Sequence, residues 1–195
     1  MAIALAVTGT TATPDTPAAN GGFEHRVLAT SRTSTMQKEM NDAAGAGYRF
    51  AGVMGGDTSF GGSEVVVVMS RNGSRDGRFE YRLLATSKTS TMQRELQHAG
   101  DAGFEYRGQT AFQTAFGGKE VVVILERDGE APRVHYEYRL LATKRTGTLQ
   151  KELADAGIDG FEFVGMTVAE TRNAGNEVIA ILRRDVTSGA MSRGR

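Results

Sequence analysis

The chain contains one stretch of text three times. Residues 79–127 read Phe-Glu-Tyr-Arg-Leu-Leu-Ala-Thr, then Thr-Ser-Thr-Met-Gln-Arg-Glu-Leu, then Gly-Phe-Glu-Tyr, then Glu-Val-Val-Val-Ile-Leu-Glu-Arg. A copy starts 56 residues earlier at Phe23 and another 57 residues later at Tyr136. Gly47, Gly103 and Gly160 keep these offsets, and so do Glu64, Glu120 and Glu177, so the copies align without internal gaps. Between 23–71 and 79–127, 26 of 49 positions are identical, which makes them copies rather than chance neighbours. A period of this length marks a tandem array of small units. Three units follow, at 23–71, 79–127 and 136–184. A core of that size is marginal alone, so each unit is expected to use its neighbour for cover.

Each copy reads as strand, helix, strand, strand. In the first strand Phe79, Tyr81, Leu83 and Ala85 alternate with Glu80, Arg82, Leu84 and Thr86. Ser34 and Ser90 stand three positions before Gln37 and Gln93, the spacing of a capping box, and Gly147 before Gln150 is a tolerated variant. Apolar residues then recur at helical spacing: Met36, Met40, Ala43; Met92, Leu96, Ala99; Leu149, Leu153, Ala156. Gly47, Gly103 and Gly160 end the helices, since a left-handed residue without a β-carbon is cheap there. The last strand is apolar on both faces and belongs in the middle of a sheet. The fold class is therefore α+β: three tandem β-α-β-β repeats, each a three-stranded sheet in the order 1-3-2 with one helix on one face.

The helix leaves the other sheet face apolar. Val66 and Val68, Val122 and Ile124, Ile179 and Ile181 fall there, and Leu28, Leu84 and Leu141 are assigned to the same side. Such patches are rarely left open. The expectation is that these second faces pack on one another with pseudo-threefold symmetry, burying Val68, Ile124 and Ile181 together and satisfying most sheet edges internally. Filament or ring formation through the edges is the alternative.

The motifs Tyr136-Glu-Tyr-Arg-Leu-Leu141, Gly160-Phe-Glu-Phe-Val164 and Ile181-Leu-Arg-Arg184 resemble a small bacterial family of unknown function. Its pattern runs Tyr-Glu-Tyr-Lys-Val-Val, Gly-Trp-Glu-Leu-Val, Leu-Lys-Arg. The resemblance covers each copy end to end, with Tyr or Phe in place of the family's Trp and the domain tripled. It implies a fold and no activity.

Composition excludes several classes. Lysine plus arginine and aspartate plus glutamate number 23 each, which argues against nucleic acid as a partner. There is no cysteine, hence no thiolate metal site. No segment approaches the roughly 20 apolar residues of a membrane span. Residues 1–22 read as a disordered arm or the remnant of a secretory signal, with Thr10 and Ala12 at the −3 and −1 positions but no basic residue before the apolar run. Export to an extracellular or periplasmic site and a cytoplasmic location both stay open. Residues 185–195 read as a flexible tail.

Chemistry is sparse. His25, His98 and His135 are not repeated, and His25 stands where the other copies have Tyr81 and Tyr138. No recognised catalytic, metal or cofactor motif is present, so no catalytic residue, metal or cofactor is expected. The repeated carboxylates, Glu24, Glu80 and Glu137 in the first strand and Glu64, Glu120 and Glu177 in the last, are read as cross-strand partners of Arg26, Arg82 and Arg139. One repeated constellation remains. Arg32, Ser34 and Thr35, Lys88, Ser90 and Thr91, and Arg145 and Thr148 put a cation and hydroxyls before each helix, a pattern suited to a small anion. The expected function is a non-enzymatic binding or scaffolding protein, with a protein partner or self-association ahead of a small molecule. An enzyme with Glu and Arg residues meeting between repeats is the competing class.

Overall fold

The computed structural model describes residues 22–58, 62–73, 78–113, 119–171 and 175–186. The expected arm and tail fall outside these residues, apart from residues 22 and 185–186. Unit 1 comprises β1 (Glu24–Thr30), α1 (Thr33–Gly45), β2 (Arg49–Thr58) and β3 (Gly62–Arg71). Unit 2 comprises β4 (Phe79–Thr86), α2 (Thr89–Asp101), β5 (Glu105–Gln113) and β6 (Lys119–Asp128). Unit 3 comprises β7 (Tyr136–Thr143), α3 (Thr146–Ile158), β8 (Glu162–Thr171) and β9 (Gly175–Asp185). The sheets run β1-β3-β2, β4-β6-β5 and β7-β9-β8, with the most apolar strand central and antiparallel to both neighbours. This is the 1-3-2 order, with one helix per sheet.

Each helix ends in the same way. Gly47, Gly103 and Gly160 take φ of 85°, 84° and 82°. In unit 1, Gly47 N–H donates to Ala44 O at 2.8 Å and Tyr48 N–H to Ala43 O at 3.1 Å, which is a Schellman motif. The aromatic that follows the glycine sits between two guanidinium groups: Arg26 and Arg71 on Tyr48, Arg82 and Arg127 on Phe104, Arg139 and Arg184 on Phe161. The repeated glutamates pair with the second arginine of each sandwich, giving Glu24–Arg71, Glu80–Arg127 and Glu137–Arg184. The expected pairing with Arg26, Arg82 and Arg139 is replaced because Arg71, Arg127 and Arg184 stand directly across the sheet from these glutamates.

The helix starts differ from expectation. The N-cap residues are Arg32, Lys88 and Arg145, and none makes a side-chain capping bond. Instead the threonine closing the preceding strand accepts from the N-cap amide, Thr30 from Arg32 at 3.1 Å and Thr86 from Lys88 at 3.1 Å. Gln37 and Gln93 are thereby released from capping and reach the next unit.

Units 1 and 2, and units 2 and 3, are related by the same step: α1 packs over β4 as α2 packs over β7, and β2 meets β5 as β5 meets β8. The cores follow this step. Met36, Met40, Val65 and Val67 of unit 1 share a cluster with Tyr81, Val122 and Ile124 of unit 2. Met92, Leu96 and Val123 of unit 2 share one with Tyr138, Ile179 and Ile181 of unit 3. The second faces are buried as expected for sheets 2 and 3, but against the helix side of the preceding unit rather than against one another. Ile124 and Ile181 are fully buried in separate clusters, and Val68 is only half-buried. Register also corrects the first strand. Leu28, Leu84 and Leu141 oppose Val67, Val123 and Ala180, and cross-strand partners share a face, so these leucines lie on the helix side.

Among the described residues the sheets do not pair edge to edge. The edges of β4 and β7 are occupied by side-chain amides instead. Asn41 donates to Tyr81 O at 3.0 Å and accepts from Tyr81 N at 2.9 Å, while Gln37 accepts from Leu83 N at 2.9 Å. Gln93 and Gln97 do the same for Tyr138 and Leu140.

Candidate functional site

A dense polar group lies where unit 1 meets unit 2. Glu126, on the central strand β6, is 3 % exposed. Its carboxylate accepts from Tyr81 Oη at 2.6 Å, from Arg49 Nη2 at 2.7 Å and Nε at 3.1 Å, and faces Arg107 Nε at 3.5 Å. Tyr81 Oη also accepts from Phe50 N at 2.8 Å. Burial raises the Tyr81 pKa, and the bond to Glu126 raises it further. Arg49's own hydrogen bonds to this carboxylate raise the Arg49 pKa, against the opposing effect of burial. Glu126 thus enters the interior with its oxygens occupied, which is how a buried carboxylate becomes tolerable.

The second junction carries the pair with its sign reversed. Glu105 stands at the repeat position of Arg49, and Arg183 at that of Glu126. Arg183 Nη1 donates to Glu105 Oε1 at 2.5 Å, and Tyr138 Oη turns to Phe104 O at 2.9 Å. Beside the first junction opens a cleft of about 510 Å³, lined among others by Arg49, Arg78, Glu105, Glu126, Arg127 and Asp128. It is the polar inter-repeat space that the enzyme reading requires. Most of its charges are paired: Arg78 with Asp128 at 3.1 Å, Arg127 with Glu80 at 2.5 Å, and Arg49 with Glu126. A carboxylate holding three donors is a joint between units, poorly placed to accept a substrate proton.

Apolar contacts complete each junction. The β-bulge at the start of β5 and of β8 is followed by Gly108 and Gly165. A β-carbon on Gly165 would stand 2.0 Å from Tyr106 Oη, and one on Gly108 would stand 3.1 Å from Phe50 Cζ. The aromatic ring of one unit therefore fills the glycine hollow of the next. Burial pushes the Tyr106 pKa up to about 12. Likewise a β-carbon on Gly100 of α2 would lie 2.2 Å from Tyr136 O, so only glycine lets β7 approach this closely.

The residues expected to bind an anion stand at three helix starts, one per unit. Arg32, Ser34, Thr35, Lys88, Ser90, Arg145 and Thr148 are exposed and Thr91 is half-buried. Nothing among the described residues adds a second feature pointing to an anion there. No group of three or more His, Asp or Glu side chains gathers in a way that could hold a metal, again among the described residues. No described helix is long and apolar enough to cross a membrane. No family model, curated protein or solved structure matches the chain.

Sequence reasoning passed over Arg49, Tyr81, Glu126, Glu105 and Arg183 because it looked for what recurs. Their signal lies in mismatch: Arg49, Glu105, Glu162 and Ser70, Glu126, Arg183 are two columns that change character in an otherwise repetitive text.

Proposed function

We propose that the chain is a non-enzymatic scaffolding module, a stiff three-unit array that binds protein through its two end faces. The observation that carries this is the placement of its exposed apolar side chains. Among the described residues, Phe23, Val27 and Met54 lie on the second face of unit 1, at 60 to 67 % exposure. Phe163, Met166 and Val168 lie on the helix side of unit 3, at 47 to 64 %. They make up six of the eight large exposed hydrophobic residues, so the apolar surface is concentrated where the array stops. The interior junctions, by contrast, have their charges paired and their hollows filled, which supports a rigid body over a reaction site.

The test is native size in extracts of the source cells. The chain is expected to migrate in an assembly well above 20.9 kDa. Variants with Val27→Lys and Met54→Lys, or Met166→Lys and Val168→Lys, are expected to fold and to leave the assembly. A wild-type chain that migrates alone under all extraction conditions overturns the reading.

A further inference from the structure

We propose that the partner of each end face is the opposite end of a second copy of this chain, so that copies assemble head to tail through a third instance of their own inter-unit junction. This rests on the scaffolding reading and names its partner. The two internal junctions share most of their parts, and most of those that stand open at one end have a counterpart at the other.

The knob and its hollow come first. Phe50 fills the hollow at Gly108 and Tyr106 that at Gly165, as described above. The next knob in the series is Phe163, which is half exposed, and the remaining hollow is at Gly52, where a β-carbon would meet nothing within 4 Å. The helix contact follows the same rule. Gly100 of α2 is pressed against β7, whereas its counterpart Gly157 of α3 has open space around it. A glycine inside a helix is disfavoured relative to alanine, and nothing described within this chain requires it at 157. A strand laid on α3 as β7 lies on α2 would fit against it, and the buried Ala44 at the same place on α1 shows that the position takes only a small residue. Gln37 and Gln93 clamp the fifth residue of β4 and of β7, Leu83 and Leu140, through their amides; Gln150 is the exposed counterpart and Val27 of β1 its target by repeat position.

Charge agrees as well. Arg49 meets Glu126 and Glu105 meets Arg183, so Glu162 would meet Ser70. Ser70 is bonded to His25 at 2.8 Å, and a hydroxyl with an imidazole offers a carboxylate donors and no like charge. One part is missing. Asn41 and Gln97 correspond to Ala154, which has no amide to clamp a strand edge. The junction between chains is therefore weaker than those within, and assembly is reversible. A contact between unlike faces propagates, closing into a ring only if the rotation per step allows it.

The experiment is a complementation of ends in the purified full-length protein. Wild type is expected to show a mass that rises with concentration above 20.9 kDa in sedimentation. Phe163→Asp removes the knob and Gly52→Val fills the hollow, and each alone is expected to weaken association by roughly tenfold or more. Both sites are open in the single chain, so circular dichroism should report native folds. Mixed, the two variants keep one intact knob and one intact hollow on different chains, and dimers should return. Wild type that stays at 20.9 kDa at every concentration overturns the inference, whether the end is covered by residues 1–21 or left bare. A large assembly in cell extract would in that case leave the scaffolding reading standing. Association of wild type without rescue in the mixture overturns it too, since a side-by-side contact is not head to tail.

Discussion

The junction between units 1 and 2 and the junction between units 2 and 3 share one backbone step and carry opposite charges. In the first, the earlier unit supplies the cation and the later unit a carboxylate with 4 % side-chain exposure. In the second, the earlier unit supplies a carboxylate with 36 % exposure and the later unit the guanidinium. The packing geometry is thus indifferent to the sign of the pair. What the sign sets is order. Unit 1 placed on unit 3 would bring Arg49 to Arg183, and unit 2 placed on another unit 2 would bring Glu105 to Glu126. Both are like-charge contacts, and such contacts reject wrong partners more effectively than right pairs add affinity. Near-identical repeats need a device of this kind to avoid docking out of sequence.

The largest expected effect breaks the two pairs one at a time. Arg49→Ala leaves Glu126 buried with only Tyr81 and Arg107, and should cost about 3 kcal/mol in urea unfolding. Arg183→Ala leaves Glu105 partly solvated, and screening should hold the loss to about 1 kcal/mol. Equal losses would mean that burial of the carboxylate is not what separates the junctions. Exchanging the pair, Arg49→Glu with Glu126→Arg, should restore part of the first loss.

Next come the glycine hollows. Gly165→Ala collides with the Tyr106 ring and should cost about 2 kcal/mol, whereas Phe50 can yield a few tenths of an ångström to Gly108→Ala at about 1 kcal/mol or less. Gly52→Ala, with open space around it, should be neutral within about 0.5 kcal/mol in the dilute chain. Thermal unfolding of the three variants side by side ranks them.

The amide clamps should differ by less. Asn41 holds Tyr81 through bonds of 2.9 and 3.0 Å, while Gln97 holds β7 at 3.2 and 3.4 Å. Asn41→Ala should cost about 1.5 kcal/mol and Gln97→Ala about 0.5 kcal/mol. Hydrogen exchange at Tyr81 N and Tyr138 N reads each clamp directly, and faster exchange at Tyr138 in the wild type is expected.

The smallest effect at neutral pH is the tyrosine contribution. Tyr106 titrates near 12 when folded and Tyr81 and Tyr138 are raised as well, above the ordinary value of about 10. A raised folded-state value favours the protonated form. Its stabilisation is therefore complete below about pH 10 and is lost as pH rises through about 12. Tyr106→Phe should flatten the fall in stability over that window, and an unchanged slope would remove the desolvated hydroxyl as its cause.

The architecture inside each unit was legible in the sequence because it is written in recurring, local signals. The apolar runs at 65–69, 121–125 and 178–182 placed the central strands, and Gly47, Gly103 and Gly160 placed the helix ends. What lay between units was not legible. Gln37 sits at a spacing that also fits a capping box, and only the approach of β4 shows that its amide serves another chain segment. Leu84 and Leu83 are indistinguishable by alternation alone, and register against Val123 decides which one faces the helix. The pair Arg49 and Glu126 is 77 residues apart and has no repeated counterpart of the same sign. Periodicity has no access to such a contact.

The laying of α1 over β4 and of α2 over β7 also bears on where this chain could be cut. The segment that was duplicated runs from first strand to last strand, but the segment that closes a core runs from one helix to the following sheet. Duplication and folding are out of phase. A break in 72–78, the natural boundary by repeat alignment, would bare Tyr81, Val122 and Ile124 on one fragment and strip the cover from Met36 and Met40 on the other. The shortest piece with a whole core of this kind spans two copies, and the middle copy released by itself is half of two cores.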